Sequence, residues 1–147
     1  MLANIAIGSG LVILTVFVHA AAMAAAVRGL KSGLTMGLHE RSIWRRAWVV
    51  SAVVMVMFLA ALVESGLWAA TYLAVGSISG IEQALYFSTV TYTTLGFGDL
   101  VLDDRWRLLS SFEAANGVII FGWSTALIFA AVQRVYFHDL DVAPPRA

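Results

Sequence analysis

The chain has 147 residues, of which 61% are apolar and 12% are charged, and its mean hydropathy of +0.86 is typical of membrane proteins. Lysine plus arginine and aspartate plus glutamate number nine each, so the composition gives no sign of nucleic-acid binding. Cysteine is absent, which excludes disulfides, thiolate metal sites and cysteine nucleophiles.

A first membrane-spanning helix is predicted over residues 1–28. Residues 4–27 carry no charge, and at about 1.5 Å per residue they can cross a bilayer core of roughly 30 Å. His19 lies beside an alanine-rich run that favours close helix packing, so we interpret it as a hydrogen-bonded packing residue in preference to a proton sensor. A cleaved signal peptide over residues 1–26 is disfavoured, because no basic region precedes its long apolar segment.

A basic loop over residues 29–45 follows this span and sets the predicted orientation. Its cationic residues outnumber its one acid, Glu40, so the positive-inside rule places the loop in the cytoplasm. The N-terminus would then lie outside, and a tail over residues 138–147 would lie in the cytoplasm. The second predicted span is an outer helix over residues 46–76, which contains Glu64.

A shorter helix is predicted next, over residues 79–93. Ser79 and Glu82 have the spacing of a capping box, which indicates a helix start near Gly80. A helix from there to Thr93 would be about 21 Å long, too short to cross the bilayer, and glycines follow it. Non-helical backbone at membrane depth must be buried in protein or line water, so we expect a re-entrant hairpin.

The third predicted span is an inner helix over residues 106–137. Its apolar part, residues 108–132, is interrupted only by Glu113. A charged Glu64 or Glu113 exposed to lipid would cost about 2.5 kcal/mol or more, so both are expected to face protein. The expected fold class is therefore an all-α membrane protein with three transmembrane helices, a re-entrant helix and a loop.

The loop after the short helix has an alternating pattern, Leu95, Gly96, Phe97, Gly98. Successive carbonyls face one side only if left-handed and right-handed residues alternate, and glycine adopts the left-handed conformation at low cost. With the Thr94 hydroxyl, such a row offers hard oxygen ligands to a desolvated alkali cation. Because the chain has one copy of the motif, several chains must surround the ion, and four is the natural number.

The heptapeptide TTLGFGD, residues 93–99, resembles the selectivity-filter signature of potassium channels. The order of span, pore helix, filter and span over residues 46–137 is similar to the two-helix pore domain of that superfamily. The additional first span resembles the small bacterial potassium-channel family proteins that have no large cytoplasmic domain.

The resemblance implies a homotetramer that conducts K⁺ passively, surrounded by membrane lipids in a bacterial inner membrane. It implies no enzymatic activity and no cofactor, with K⁺ as the permeant ion. Gly98 would turn the outer strand of the filter, over residues 94–99, and Asp99 would close the motif at the external mouth. The K⁺ ligands would be Thr94, Leu95, Gly96 and Phe97.

Several other residues are candidates to support the filter or to gate the pore. Phe97 lacks the phenol hydroxyl that often ties such a filter to its surroundings, and nearby aromatic residues are candidates for a substitute cuff. We hypothesise that at least one of Glu64 and Glu113 braces the filter through Thr91, Tyr92 or Asn116, and a merely structural polar pair remains an equal alternative. A glycine in the inner helix permits close packing or a gating hinge. The cuff candidates are Tyr86, Phe87 and Tyr92, and the hinge candidates are Gly117 and Gly122.

Two other functions remain open from the sequence. One is a weakly selective cation channel, which differs in its relative permeability to K⁺ and Na⁺. The other is an accessory or structural membrane subunit without conduction of its own, which need not form a closed homotetramer.

Overall fold

The computed structural model describes residues 1–35 and 42–137 of the chain. Within these ranges every regular element is helical, as expected for the all-α class. Three of the helical segments, Leu2–Ser32, Ile43–Ala74 and Arg107–Phe137, are long and apolar enough to cross a membrane. The protein is therefore a multi-pass membrane protein. Its elements are α1 (Leu2–Thr35), α2 (Ile43–Ala74), α3 (Ile81–Tyr92), α4 (Arg107–Val132) and a π-helical turn (Gln133–Phe137).

Several of the predicted helix boundaries differ from those of the structure, most clearly those of α1 and α2. Helix α1 continues to Thr35, into the segment predicted as the cytoplasmic loop, although Gly29 and Gly33 lie in its last turns. Helix α2 already begins at Ile43 and ends at Ala74, just before Gly76, whose φ of +72° takes the chain out of the helix. The rest of the predicted loop, residues 36–41, and the predicted tail, residues 138–147, lie outside the described residues.

The predicted capping box at the start of α3 is wrong. Gly80 occupies the N-cap position in an extended conformation, and no side chain caps the helix. Ser79 therefore stands one residue too early to accept a bond from the first turn, and Glu82 lies in the first turn without a serine partner. The backbone bond from Ala84 N to Gly80 O, 2.9 Å long, closes the first turn. Helix α3 has twelve residues, so it is too short to cross a bilayer.

Helix α1 runs parallel to α4 along one side of the molecule. Asn4 Nδ2 donates to Arg105 O at 2.7 Å, and further along both helices Asn116 Nδ2 donates to Thr15 Oγ1 at 2.7 Å. The contacting residue numbers increase together, which defines the parallel arrangement. A close contact between Gly8 and the ring of Phe112 lies between these two bonds.

Helix α3 packs between α2 and α4 and forms the larger of two apolar cores. This core contains large side chains from α2, α3, α4 and the loop before α4. The second core contains fewer side chains, which come from α1, α2 and α4. The short helix is thus held at one end of the bundle. The larger core contains Trp68, Tyr72, Phe87, Tyr92, Leu102, Trp106, Leu109 and Ile120, and the second contains Ala26, Val53, Met57 and Ala131.

Candidate ion pathway and its supporting side chains

The filter segment, which we define as residues 93–99, leaves α3 with an alternating backbone conformation. The φ angles are +59° at Thr94, +52° at Gly96 and +79° at Gly98, whereas Leu95 and Phe97 have negative φ. The left-handed conformations expected at the two glycines are confirmed. The one at Thr94 was not predicted, because a residue with a Cβ adopts it at a cost of roughly 1–2 kcal/mol.

Three backbone hydrogen bonds fold the start of the filter segment onto α3. The amides of Leu95 and Gly96 both donate to the carbonyl of Val90, at 3.0 and 3.3 Å, and the amide of Thr94 donates to Thr91 O at 2.9 Å. These bonds hold Thr94 in its strained conformation, since they continue the end of the helix through a tight turn.

The filter segment lies at the surface of the protomer. Every residue from 93 to 100 is exposed, with Leu95 at 57% and Phe97 at 65% of their full accessible area. A single protomer therefore leaves this segment uncovered, although its backbone is not helical.

Two of the predicted cuff residues, Tyr86 and Phe87, make separate contacts within the protomer. The Tyr86 hydroxyl donates to Asp99 Oδ2 at 2.8 Å, which ties the last residue of the filter segment to α3. Phe87 is buried against the Tyr72 ring in an edge-to-face contact, with ring centroids 5.2 Å apart. They therefore do not form a shared aromatic ring with each other within one protomer.

The third cuff residue, Tyr92, belongs to a buried group that we call the Glu64 cluster: His19, Glu64, Tyr92 and Ser124. The Tyr92 hydroxyl donates to Glu64 Oε2 at 2.6 Å, so the predicted contact between these two residues is present. The other carboxylate oxygen, Oε1, lies 3.0 Å from His19 Nδ1. The second ring nitrogen of His19 lies 3.3 Å from Ser124 Oγ. The cluster thus connects α1, α2, α3 and α4.

A second buried group, the Glu113 cluster, consists of Glu113, Tyr72, Ser88 and the Ser65 carbonyl. The Tyr72 hydroxyl donates to Glu113 Oε2 at 2.6 Å, and Ser88 Oγ contacts Glu113 Oε1 and, at 2.6 Å, Ser65 O. A serine hydroxyl has one proton, so it donates fully in only one of its two contacts. An uncharged Glu113 that donates to Ser88 satisfies the whole group.

The other predicted partners of the two carboxylates are placed elsewhere. Asn116 is buried but bonds to Thr15 of α1, and its Oδ1 has no partner among the described residues. Thr91 contributes its carbonyl to the turn at Thr94.

The two hinge candidates differ in their surroundings. Gly117 of α4 packs directly on the end of α3, where a Cβ atom would overlap the carbonyl oxygen of Tyr92. A Cβ atom at Gly122 would meet nothing within 4 Å. Gly117 therefore permits close packing against α3, whereas Gly122 makes no such contact with the described residues of the protomer.

Sequence reasoning missed the partners of both carboxylates other than Tyr92. Tyr72 and Ser88 bear hydroxyl groups on helices flanking Glu113, which was the available signal, but neither stands at a recognisable motif spacing. Ser124 donates to Ile120 O at 3.1 Å while also contacting His19.

A short helix lies between two long ones and is followed by a non-helical segment whose backbone alternates in handedness. This arrangement defines the protein as a membrane protein with a candidate ion pathway. Residues 43–134, from the start of α2 to the π-helical turn, match the model of a family described as ion channel. This match covers more than half of the chain, so the protein belongs to that ion channel family. No curated protein and no solved structure matches the chain.

Proposed function

We propose that the protein is a K⁺-selective channel in which four copies of the chain surround one central pathway. The observation that carries the proposal is the alternation of φ at Thr94, Gly96 and Gly98 in the exposed segment that follows α3. This alternation allows successive carbonyl oxygens to face the same side and to replace the water around a desolvated cation.

The exposure of the filter segment supports assembly around an axis. Non-helical backbone exposed to lipid would leave polar groups without hydrogen-bond partners, at a cost of several kcal/mol for each group. Other copies of the chain, water and the ion would cover residues 93–100. One protomer supplies one side of a coordination shell, and a closed rotational assembly supplies the others.

In this proposal the ion ligands are in the first part of the filter segment. Gly98 turns the segment outward, and the bond from Tyr86 holds Asp99 at the external mouth. Conduction is passive, since carbonyl dipoles offset the loss of hydration and neighbouring ions repel one another. The ligands are Thr94, Leu95, Gly96 and Phe97.

The proposed location is a bacterial inner membrane, with the N-terminus outside. Four basic residues lie near the end of α1 and the start of α2, and an excess of such residues favours the cytoplasmic side. They are Arg28 and Lys31 in α1 and Arg45 and Arg46 in α2.

Flux from liposomes containing the purified protein tests the proposal. We expect K⁺ flux to exceed Na⁺ flux and to be blocked by Ba²⁺, and native mass spectrometry should give four subunits. Equal K⁺ and Na⁺ flux would indicate a weakly selective cation channel. If no flux is seen and the number of subunits is not four, the protein is an accessory subunit.

Gly96→Ala and Gly76→Ala form a matched pair for this assay. Both glycines have positive φ, +52° and +72°, and a Cβ at either one meets nothing within 4 Å. Each substitution therefore costs roughly 1–2 kcal/mol of local backbone strain, but only Gly96 lies in the filter segment. We expect Gly96→Ala to abolish K⁺ selectivity and Gly76→Ala to preserve it.

A further inference from the structure

Helix α1 precedes the segment that matches the ion channel family, yet it reaches the end of α3 through side-chain hydrogen bonds. We propose that His19 of α1 is a positioning residue for the filter segment, acting through Glu64 and Tyr92. The proposal rests on the proposed function, because it assigns His19 a part in holding the ion pathway.

Tyr92 is the point at which this chain of bonds meets the filter segment. It is the last residue of α3 and stands two residues before Thr94, the first residue of the filter segment with left-handed backbone. Its hydroxyl bonds to Glu64, and its carbonyl packs against Gly117. A displacement of Tyr92 would therefore move the start of the filter segment.

His19 completes the hydrogen bonding of Glu64. Both residues are fully buried, and one proton is shared between Nδ1 and Oε1 whichever of the two atoms carries it. Without the imidazole, Oε1 would lose its partner in this contact, and a buried polar group left unpaired costs about 1–3 kcal/mol. Glu64 would then turn toward another donor and release the Tyr92 hydroxyl.

The imidazole ring is itself held in place from α4. Ser124 Oγ lies 3.3 Å from Nε2 and 3.1 Å from Ile120 O, and when the serine proton points to the Ile120 carbonyl, Nε2 is the donor to Ser124. The Trp123 ring lies beside the imidazole, with centroids 6.4 Å apart. These contacts fix the orientation in which Nδ1 points at Glu64.

Thr15 provides an internal control for the packing of α1. It lies one helical turn before His19, is equally buried, and also bonds to a residue of α4, Asn116. Its own hydroxyl donates to the backbone of α1, and the contact ends at α4, since the described residues offer no partner to Asn116 Oδ1. Loss of Thr15 would thus weaken α1 packing without disturbing Tyr92.

The first test compares His19→Leu, Tyr92→Phe and Thr15→Val in liposomes. We expect His19→Leu and Tyr92→Phe to raise the permeability of Na⁺ relative to K⁺ by about three- to tenfold, the range that corresponds to one net hydrogen bond. Thr15→Val should leave this ratio unchanged. The double variant with both His19→Leu and Tyr92→Phe should behave like either single variant, because the two changes break one chain of contacts.

Rescue distinguishes positioning from general packing. The amide nitrogen of an asparagine falls near the place of Nδ1, and that of a glutamine near Nε2. His19→Asn should therefore restore the wild-type permeability ratio, whereas His19→Gln should not. This pair also carries the test if His19→Leu fails to assemble.

Hydrogen exchange gives a measurement that does not depend on conduction. The amides of Leu95 and Gly96 both bond to Val90 O, so their exchange reports on the start of the filter segment. Exchange should accelerate in His19→Leu and Tyr92→Phe but not in Thr15→Val. Wild-type protein that carries no ions would overturn the proposed function and, with it, the role of His19 in an ion pathway.

Two outcomes would overturn the His19 proposal alone. One is wild-type K⁺ flux combined with unchanged selectivity and unchanged exchange in His19→Leu. The other is an equal effect of Thr15→Val and His19→Leu on both measurements, which would show that α1 contributes only general packing.

Discussion

The Glu64 and Glu113 clusters place two buried carboxylates behind the same short helix, but they draw their partners from different parts of the chain. Among the described residues, the side-chain partners of Glu113 lie in α2 and α3, within the segment that matches the ion channel family. Glu64 takes one partner, His19, from α1, which precedes that segment. The comparison teaches that the matched helices complete one cluster by themselves, whereas the other requires the additional helix.

The largest expected effect is that of Gly117→Ala, which would displace the backbone of Tyr92. The new Cβ would overlap the Tyr92 carbonyl oxygen, a backbone atom that cannot turn aside. Overpacking of this kind costs about 3 kcal/mol or more. We expect loss of the assembled protein in detergent, measured by size-exclusion chromatography. Gly122→Ala is the control, since it meets no atom within 4 Å and should assemble normally.

Leucine substitutions of the two carboxylates are next in size and should separate the clusters. Glu64→Leu leaves both the Tyr92 hydroxyl and His19 Nδ1 without their partner. Glu113→Leu leaves only the Tyr72 hydroxyl without a partner, because Ser88 can still donate to Ser65 O. At about 1–3 kcal/mol for each stranded group, Glu64→Leu should be the more destabilising of the two. Thermal unfolding of the two variants in the same detergent measures the order, and the reverse order would contradict the donor count.

Glutamine substitution of Glu113 should have a smaller effect. The amide oxygen can accept from Tyr72, and the amide nitrogen can donate to Ser88, which in turn donates to Ser65 O. If Glu113 is uncharged, the state that satisfies every contact of the group, the change costs less than about 1 kcal/mol. Ion selectivity and the response of the current to pH should match those of the wild type. A large change in either would show that Glu113 acts as a charged group.

Much of this comparison could be predicted from sequence, but the helix register could not. The spans follow from long charge-free stretches, and the left-handed glycines follow from their alternation. Glu64 and Glu113 were expected to face protein because of the cost of a charge in lipid. However, α1 has apolar side chains around its whole circumference and only a few polar ones, so no apolar stripe shows which face packs or that His19 meets Glu64.

The local errors have similar physical reasons. Ser79 has the spacing of a cap, but Gly80 takes the N-cap position, since backbone conformation and tertiary packing decide which residue starts the helix. The left-handed Thr94 contradicts the preference of threonine, and its strain is held by the bonds of Leu95 and Gly96 to Val90 O, which no sequence pattern reveals.

Tyr86→Phe should have the smallest effect, because its bond is at the surface and outside both clusters. The substitution removes the donor to Asp99. Because this bond is exposed, water can solvate the Asp99 carboxylate in its place, so the loss of stability should be below about 1 kcal/mol. Since Asp99 is then no longer tied to α3, hydrogen exchange should accelerate at residues 98–100 and stay unchanged at Leu95 and Gly96. His19→Leu should give the opposite pattern. If instead both variants accelerated exchange along the whole filter segment, its two ends would move as one unit, and the distinction between support from α1 and support from Tyr86 would not hold.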